Sequence, residues 1–305
     1  MKSTSFININ GDKKQNKFSL LSYLFLNLIQ NIYLSLFKRK FKYLKFKNRY
    51  KFFKFNNKHS ISRKLCSLFW KNINWKYIVN IIGNLDIHEL GPGDGNYFKK
   101  EISINNNFIK KYNGFDVNLH KKWKLTKSKK LKFKQFNGYD FKKILNKQNN
   151  LFISQSCLEH VRYDLKYFKD IKDISRKSKK KIILIHCLPN FFCLFTYLAH
   201  GFRQYNTENI NKISTVLGNG NTFVVKLGNL KLNYDHLKKT TLPLIFKKKD
   251  LMQNQSKSNY KKINNEILEM KKSFIPFSSF VVLISVINFS ETEKKDLLSN
   301  FFSIS

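Results

Sequence analysis

Residues 89–95 read Glu-Leu-Gly-Pro-Gly-Asp-Gly, a glycine-rich turn between a short hydrophobic run and a helix-compatible one. Gly91, Gly93 and Gly95 permit a tight turn and let backbone approach a ligand that any Cβ would exclude. Asp94 discriminates between ligands. The helix N-terminus of a dinucleotide site receives a pyrophosphate, and a carboxylate planted there would repel it and compete for the same amides. The spacing is G-x-G-x-G and not the dinucleotide G-x-G-x-x-G. Both features favour a cofactor without phosphates. Further polar residues stand at the ends of hydrophobic runs: Asp116 in GFDVN, Tyr139 and Asp140 in GYDF, Ser156, Glu159 and His160 in LFISQSCLEHV, and His186 in KIILIHCLP. His160 is the first candidate for a general base and His186 the second, since a base must come within about 3 Å of the proton it takes. Each also has a plainer reading, His160 as a helix-start residue and His186 as a core histidine. Arg203, Gln204 and Tyr205 in HGFRQYNTENI could bind a sugar, carboxylate or phosphate through the planar donor fork of arginine, or equally anchor a helix over a sheet.

The runs that must position these groups alternate in kind. Leu85, Ile87 and Leu90 begin a strand before the glycine turn, and a helix is expected around Tyr97 to Ile102. Strands are expected at Tyr112 to Asp116, Leu131 to Phe136, Leu151 to Ser154 and Lys181 to His186, with a helix at Tyr163 to Ser175 and a late strand at Phe280 to Ile287. Such alternation predicts an α/β fold with a doubly wound, mostly parallel sheet and helices on both faces.

At this point the residues resemble the class I, Rossmann-like S-adenosylmethionine-dependent methyltransferases, whose first motif is an acidic residue, an apolar residue and a G-x-G-x-G turn. The resemblance covers about 200 residues, from near Asp86 to about Asn288. It implies S-adenosylmethionine as cofactor. It implies a cofactor set of Glu89, Gly91, Gly93, Gly95, Asp116 on the ribose hydroxyls, Tyr139 and Asp140 at the adenine, and Ser156. Glu159, Arg203 and Tyr205 fall on the acceptor side, with no metal in the set. Many small-molecule methyltransferases have a fourth strand leading into a similar Leu-Glu-His-Val. The stretch from His200 to Ile210 is similar to the C-terminal half of methyltransferases of glycan and lipid-linked sugar pathways. One departure is Lys177-Ser178-Lys179-Lys180, which replaces the family's Lys-Pro-Gly-Gly turn.

Three hundred and five residues suffice for one large domain plus an extension. The expected division is a basic amphipathic extension over 1–60, a methyltransferase domain over 61–290 and a C-terminal tail over 291–305. A formal charge of +39 favours polyanionic partners, although abundant Lys, Asn, Ile and Phe also reflect a general compositional bias. Phe18 to Phe37 holds no charged residue and is followed by Lys38-Arg39-Lys40, but Asn27, Gln30, Asn31 and three serines argue against a spanning helix. Phe18, Leu21, Phe25, Leu28, Ile29, Ile32 and Leu36 share one helical face. The following run to Lys58 interleaves Lys and Arg with Phe and Tyr, a composition suited to anionic lipid, to nucleic acid or to plain solvation. The four cysteines lack metal-ligand spacing and read as thiols of a reducing cytoplasm. No cleavable signal pattern is present. The leading expectation is methyl transfer to a small-molecule, glycan or lipid-linked acceptor near the cytoplasmic membrane. The alternatives are an RNA methyltransferase and a non-catalytic binding protein of the same fold.

Overall fold

A strand such as Ile-Ile-Leu-Ile-His-Cys-Leu-Pro offers no polar face, the mark of a strand covered on both sides. The computed structural model describes residues 3–4, 10–11, 16–36, 38–57, 59–95, 106–125, 128–190, 200–247, 251–270 and 280–303. The helix expected from Tyr97 to Ile102 lies outside these residues. Eight strands form one sheet: β1 (Lys42–Tyr43), β2 (Leu85–Leu90), β3 (Ile109–Asp116), β4 (Leu131–Gln135), β5 (Leu151–Gln155), β6 (Ile182–Pro189), β7 (Thr222–Leu227) and β8 (Phe280–Ile287). Their order across the sheet is β1-β7-β8-β6-β5-β2-β3-β4. Neighbours run parallel except at β8, which is antiparallel to both β6 and β7. The sheet is doubly wound and mostly parallel, as the methyltransferase resemblance implies.

Helices cover both faces. In chain order these are α1 (Lys17–Ser35), α2 (Ile61–Asn72), α3 (Trp75–Ile82), α4 (Asp164–Ser178), α5 (Thr207–Leu217), α6 (Leu230–His236), α7 (Leu242–Lys247), α8 (Lys257–Leu268) and α9 (Glu291–Asn300). The pleat of β6 divides the core. Ile183, Ile185 and Cys187 join one apolar layer with α2, α3, α8 and α9, while Ile182, Leu184 and Leu188 join the other with α4 and α5. From β2 the chain winds outward through β3 and β4, then returns to lay β5 and β6 on the other side of β2. The sheet therefore switches direction between β2 and β5, where ligands bind doubly wound sheets beyond the strands' carboxyl ends.

Several elements are absent from the sequence reading. β7 and α5 have ordinary local signals, a β-branched run after Gly218 and Gly220 and an Asn206 cap on the Asn209 amide. The expected C-terminal tail contains α9, which starts in a Ser290–Glu293 capping box and is anchored by Leu297, Phe301 and Phe302 in the core. Lys179 takes the left-handed conformation (φ 54°) that glycine would supply in the family turn, at a cost of roughly 1 kcal/mol.

The N-terminal segment behaves differently from its composition. Residues 41–55 form a strap along the β7 edge: β1 pairs with β7, and Phe41, Phe46, Tyr50, Phe53 and Phe55 pack inward while Lys42, Lys45, Lys47, Lys51 and Lys54 point out. These five rings pack on the core, whereas Phe52 and Tyr43 of the same strap stay exposed. α1 docks with its polar face. Tyr23, Asn27, Gln30 and Asn31 are buried against the domain, with Asn31 donating to Gln204 and accepting from Asn206. The apolar stripe faces away: Phe18 and Leu36 are each 80% exposed, and Leu21, Phe25, Ile29 and Ile32 are exposed with them. No helix among the described residues is long and apolar enough to cross a membrane.

Candidate functional site

The glycine turn leaves β2 at the switch point. Gly91 has φ 74°, and a Cβ there would lie 2.3 Å from Cys157 Sγ on the loop after β5, so the two loops touch only because this residue has no side chain. The Gly91 amide donates to Phe115 O and extends the β2–β3 ladder by one residue. Gly93 (φ 55°) faces open space, while Gly95 packs against the ring of Phe133. Asp116, at the end of β3, accepts from the Gly93 amide on Oδ2 and from the Asn118 amide on Oδ1, each at 3.0 Å. Trp123 closes the side of the turn: its indole donates to Gly93 O at 2.9 Å and its ring stacks on Phe133.

Glu89 is buried beneath the turn and accepts a hydrogen bond from the Tyr112 hydroxyl. Burial raises its carboxyl to about 7, opposed by the Tyr112 hydrogen bond and reinforced by Asp116. Asp94 is paired with Lys122 Nζ at 2.7 Å and half exposed. Its charge is therefore balanced on the spot, and the negative field of the turn comes instead from Asp116 and Glu159. Burial, followed by Glu159, Asp116 and Glu89 in that order, holds the Cys157 thiol well above its ordinary range. Cys157 is consequently no nucleophile.

The loop after β5 forms the other wall. Ser156 is exposed and held at φ 47°, a left-handed conformation that costs a non-glycine residue energy and clusters at functional sites. A single 3-10 turn, Leu158–His160, then turns Glu159 inward and His160 toward the rim. Glu159 is fully buried, and neither of its oxygens accepts a hydrogen bond among the described residues. His200 Nε2 lies 3.5 Å and His160 Nε2 3.8 Å from Oε1.

Arg203 and Tyr205 do not reach the acceptor side. The Arg203 guanidinium is buried and donates to the carbonyls of Leu158, Val161 and Arg162, with Asp164 at 3.4 Å. The Tyr205 hydroxyl donates to Asp164, and Gln204 meets Asn31. These side chains clamp the β5 loop and seat α1, the anchoring alternative of the sequence reading. His186 is also removed from the site. It lies on β6 between Tyr167 and Phe168, with Nδ1 2.8 Å from Ser154 Oγ. Burial, and after it His88, pushes its imidazole down to about 3, so it is neutral, enclosed and unsuited to general-base work.

Tyr139 is exposed, on a turn whose Gly138 packs against Val117 just past Asp116. Asp140 is held by Lys143 at 2.9 Å and opens onto a cleft of about 670 Å³ that also contains Lys111, Lys134 and Lys147. The structure thus brings together Glu89, Gly91, Gly93, Gly95, Asp116, Ser156, Glu159 and His160 around the switch point, with Tyr139 beside them and Asp140 turned to the basic cleft. Sequence reasoning missed His200, Trp123 and Tyr112. His200 had one signal: the glycine after it, whose Cβ would lie 2.6 Å from Glu159 O.

No family model matches this chain, and no curated protein matches it. Among solved structures, the chain is similar to a SAM-dependent methyltransferase from Archaeoglobus fulgidus at 17% identity and a TM-score of 0.41, over 69% of this chain and 90% of that one. It is similar to phosphoethanolamine N-methyltransferase 2 of Haemonchus contortus, solved with phosphomonomethylethanolamine and S-adenosylhomocysteine, at 13% identity and a TM-score of 0.40, over 74% and 58% of the two chains. A third similar structure is an S-adenosylmethionine-dependent methyltransferase from Mesorhizobium loti, at 10% identity and a TM-score of 0.41, over 70% and 95%.

Proposed function

We propose that this chain is an S-adenosylmethionine-dependent methyltransferase acting on a small, glycan-linked or lipid-linked acceptor at an anionic membrane surface on the cytoplasmic side. The observation that carries the reading is electrostatic. In a chain with 58 Lys and Arg against 19 Asp and Glu, the carboxylates of Asp116 and the buried Glu159 stand at the ends of β3 and β5 on the two sides of the switch point, with the Glu89 carboxyl, raised to about 7, beneath the turn. Such a wall attracts a cationic ligand and repels a pyrophosphate. The glycine turn and Asp116 are the residues that would hold the donor: Gly93 stands clear of neighbouring side chains, and each Asp116 oxygen accepts one amide, leaving lone pairs for ribose hydroxyls. When bound, the donor supplies an electrophilic sulfonium methyl, whose transfer depends mainly on alignment and exclusion of water. Ser156 would border the donor, and Glu159, His160 and His200 form the wall toward the acceptor.

The membrane part rests on α1. Its apolar stripe faces out, Lys38, Arg39 and Lys40 follow it directly, and its Tyr23 hydroxyl donates to the carbonyls of His200 and Gly201. A bilayer covering the stripe would therefore lie one helix diameter, roughly 10 Å, from the acceptor wall. Calorimetry with S-adenosylhomocysteine and NAD tests the donor, and tighter binding of NAD overturns the assignment. Flotation with phosphatidylglycerol vesicles tests the surface: the full chain should float, and Phe25→Ser combined with Ile29→Ser should not, while keeping its melting temperature. Equal flotation of the two proteins, or preference for RNA over vesicles, removes the membrane reading.

A further inference from the structure

We infer that Glu159, His160 and His200 form a binding site for one divalent transition-metal ion. One oxygen or ring nitrogen from each residue lies within 4.8 Å of the other two, on a fully buried carboxylate and two partly exposed imidazoles. A carboxylate taken out of water costs several kcal/mol unless it is paired and hydrogen-bonded. Glu159 is fully enclosed, yet neither oxygen accepts a hydrogen bond among the described residues.

Two cations could satisfy it, a protonated histidine or a metal, and the distances separate them. A charge-assisted N–H···O bond closes to about 2.7–2.9 Å. The two histidine nitrogens stand at 3.5 and 3.8 Å from Glu159 Oε1, too far for that bond. Donors sharing one ion at metal–ligand distances near 2.1 Å are separated by roughly 3 to 3.5 Å, so a small closure of the His160 ring completes the set. The rings cross nearly at right angles, 88°, with centroids 4.6 Å apart.

The backbone under all three ligands is fixed. Arg203 ties the carbonyls of Leu158, Val161 and Arg162. The Phe202 amide donates to Glu159 O, while Gly201 packs on the same carbonyl where no side chain would fit. Tyr23 of α1 holds the carbonyls of His200 and Gly201. Preorganisation of this kind is what a metal site requires. Two imidazoles and one carboxylate suit first-row divalent ions such as zinc, cobalt, iron or manganese, and three protein ligands leave positions open for water or a substrate oxygen. Resting on the methyl-transfer reading, the open position is where an acceptor hydroxyl would bind and lose its proton to solvent more easily. That role replaces the general-base role of His160, whose Nε2 is committed to the ion.

The test uses the full chain, stripped with a chelator, dialysed, and titrated separately with cobalt, zinc and manganese ions. One equivalent of at least one ion should bind, cobalt giving a visible absorption band. His200→Ala and the near-isosteric Glu159→Gln should each weaken binding on the order of 100-fold, while His59→Ala, outside the cluster, should leave it unchanged. The ion should also raise the melting temperature of the parent protein but not of Glu159→Gln, which reads the site even if His200→Ala folds poorly. Equal affinity in parent and variants, or no retention of any of the three ions, overturns the site and leaves Glu159 paired to histidine alone. Binding of S-adenosylhomocysteine to the stripped protein is measured in parallel. Failure to bind the donor in a protein that takes up an ion sinks the methyl-transfer reading only, and donor binding in a protein that retains none of the three ions sinks the metal site only.

Discussion

The two sides of the switch point are built on different principles. The proposed donor wall, β2 with its turn and β3 with Asp116, consists of adjacent strand ends, and its contacts join neighbours in the sheet, such as the Gly93 amide with Asp116 and Tyr112 with Glu89. The proposed acceptor wall, Glu159 with His160 and His200, is assembled from distant segments: Arg203 reaches back to the β5 loop, and Tyr23 of α1 holds a carbonyl 177 residues away. A wall of contiguous motifs tolerates loss of one side chain with a local effect. A wall held by buried clamps from distant segments does not.

The largest expected effect falls on the Arg203 clamp. Arg203→Met removes the donors to three loop carbonyls and leaves Asp164 buried without its cation, and breaking such a pair costs about 3–5 kcal/mol. Urea unfolding should report that loss. Unchanged stability with reduced turnover would instead return Arg203 to the acceptor side. On the donor wall, Asp116→Asn keeps an acceptor for the Gly93 amide but loses the charge. Affinity for S-adenosylhomocysteine should fall by about 1.5–3 kcal/mol, with little change in melting temperature. If calorimetry finds the affinity intact, the ribose contact lies elsewhere.

A smaller effect separates the shared core beneath both walls from the walls themselves. His88 on β2 is sealed among Phe115, Phe152 and Tyr167, and neither ring nitrogen has a hydrogen-bond partner among the described residues. His88→Phe should stabilise the fold by roughly 1 kcal/mol at neutral pH, since a buried polar group without a partner is destabilising. The pH dependence has a definite sign. Burial lowers the His88 imidazole from 6.5 to about 3, so between these values the unfolded chain binds the extra proton. Its contribution is intact above about pH 6.5 and is lost as the pH falls toward 3. Melting curves from pH 7 to 4 should therefore show the Phe variant losing less than the parent. An equal loss in both would mean that His88 is protonated or solvated in the native state.

The strands β5, β6 and β8 were legible as apolar runs, and β2, β3 and β4 as shorter stretches in which apolar and polar residues mix before a turn; the late strand Phe280–Ile287 has the expected limits. The two-residue β1 was not, because it pairs only through β7 and has no pattern of its own. His186 and His160 look alike in sequence, each a histidine after an apolar run. Their fates diverge because His186 lies within β6, on the face covered by α4, whereas His160 follows the end of β5 where the backbone turns out of the sheet.

The amino-acid sequence alone determined the doubly wound sheet, the glycine turn, the carboxylate after it and the two faces of α1, since these depend on local spacing: period two for strands, 3.6 for helices, and glycine where a side chain would collide. Tertiary structure alone decided which face of α1 is buried. Asn27, Gln30 and Asn31 look like the solvent side of an amphipathic helix, yet they are buried because Gln204 and Asn206 supply partners to Asn31, leaving the apolar stripe uncovered. It likewise turned Arg203 from a substrate ligand into a clamp and brought His200 to Glu159. Pairings between segments far apart in the chain leave no period in the sequence, because the energy that fixes them exists only once the sheet has placed both partners.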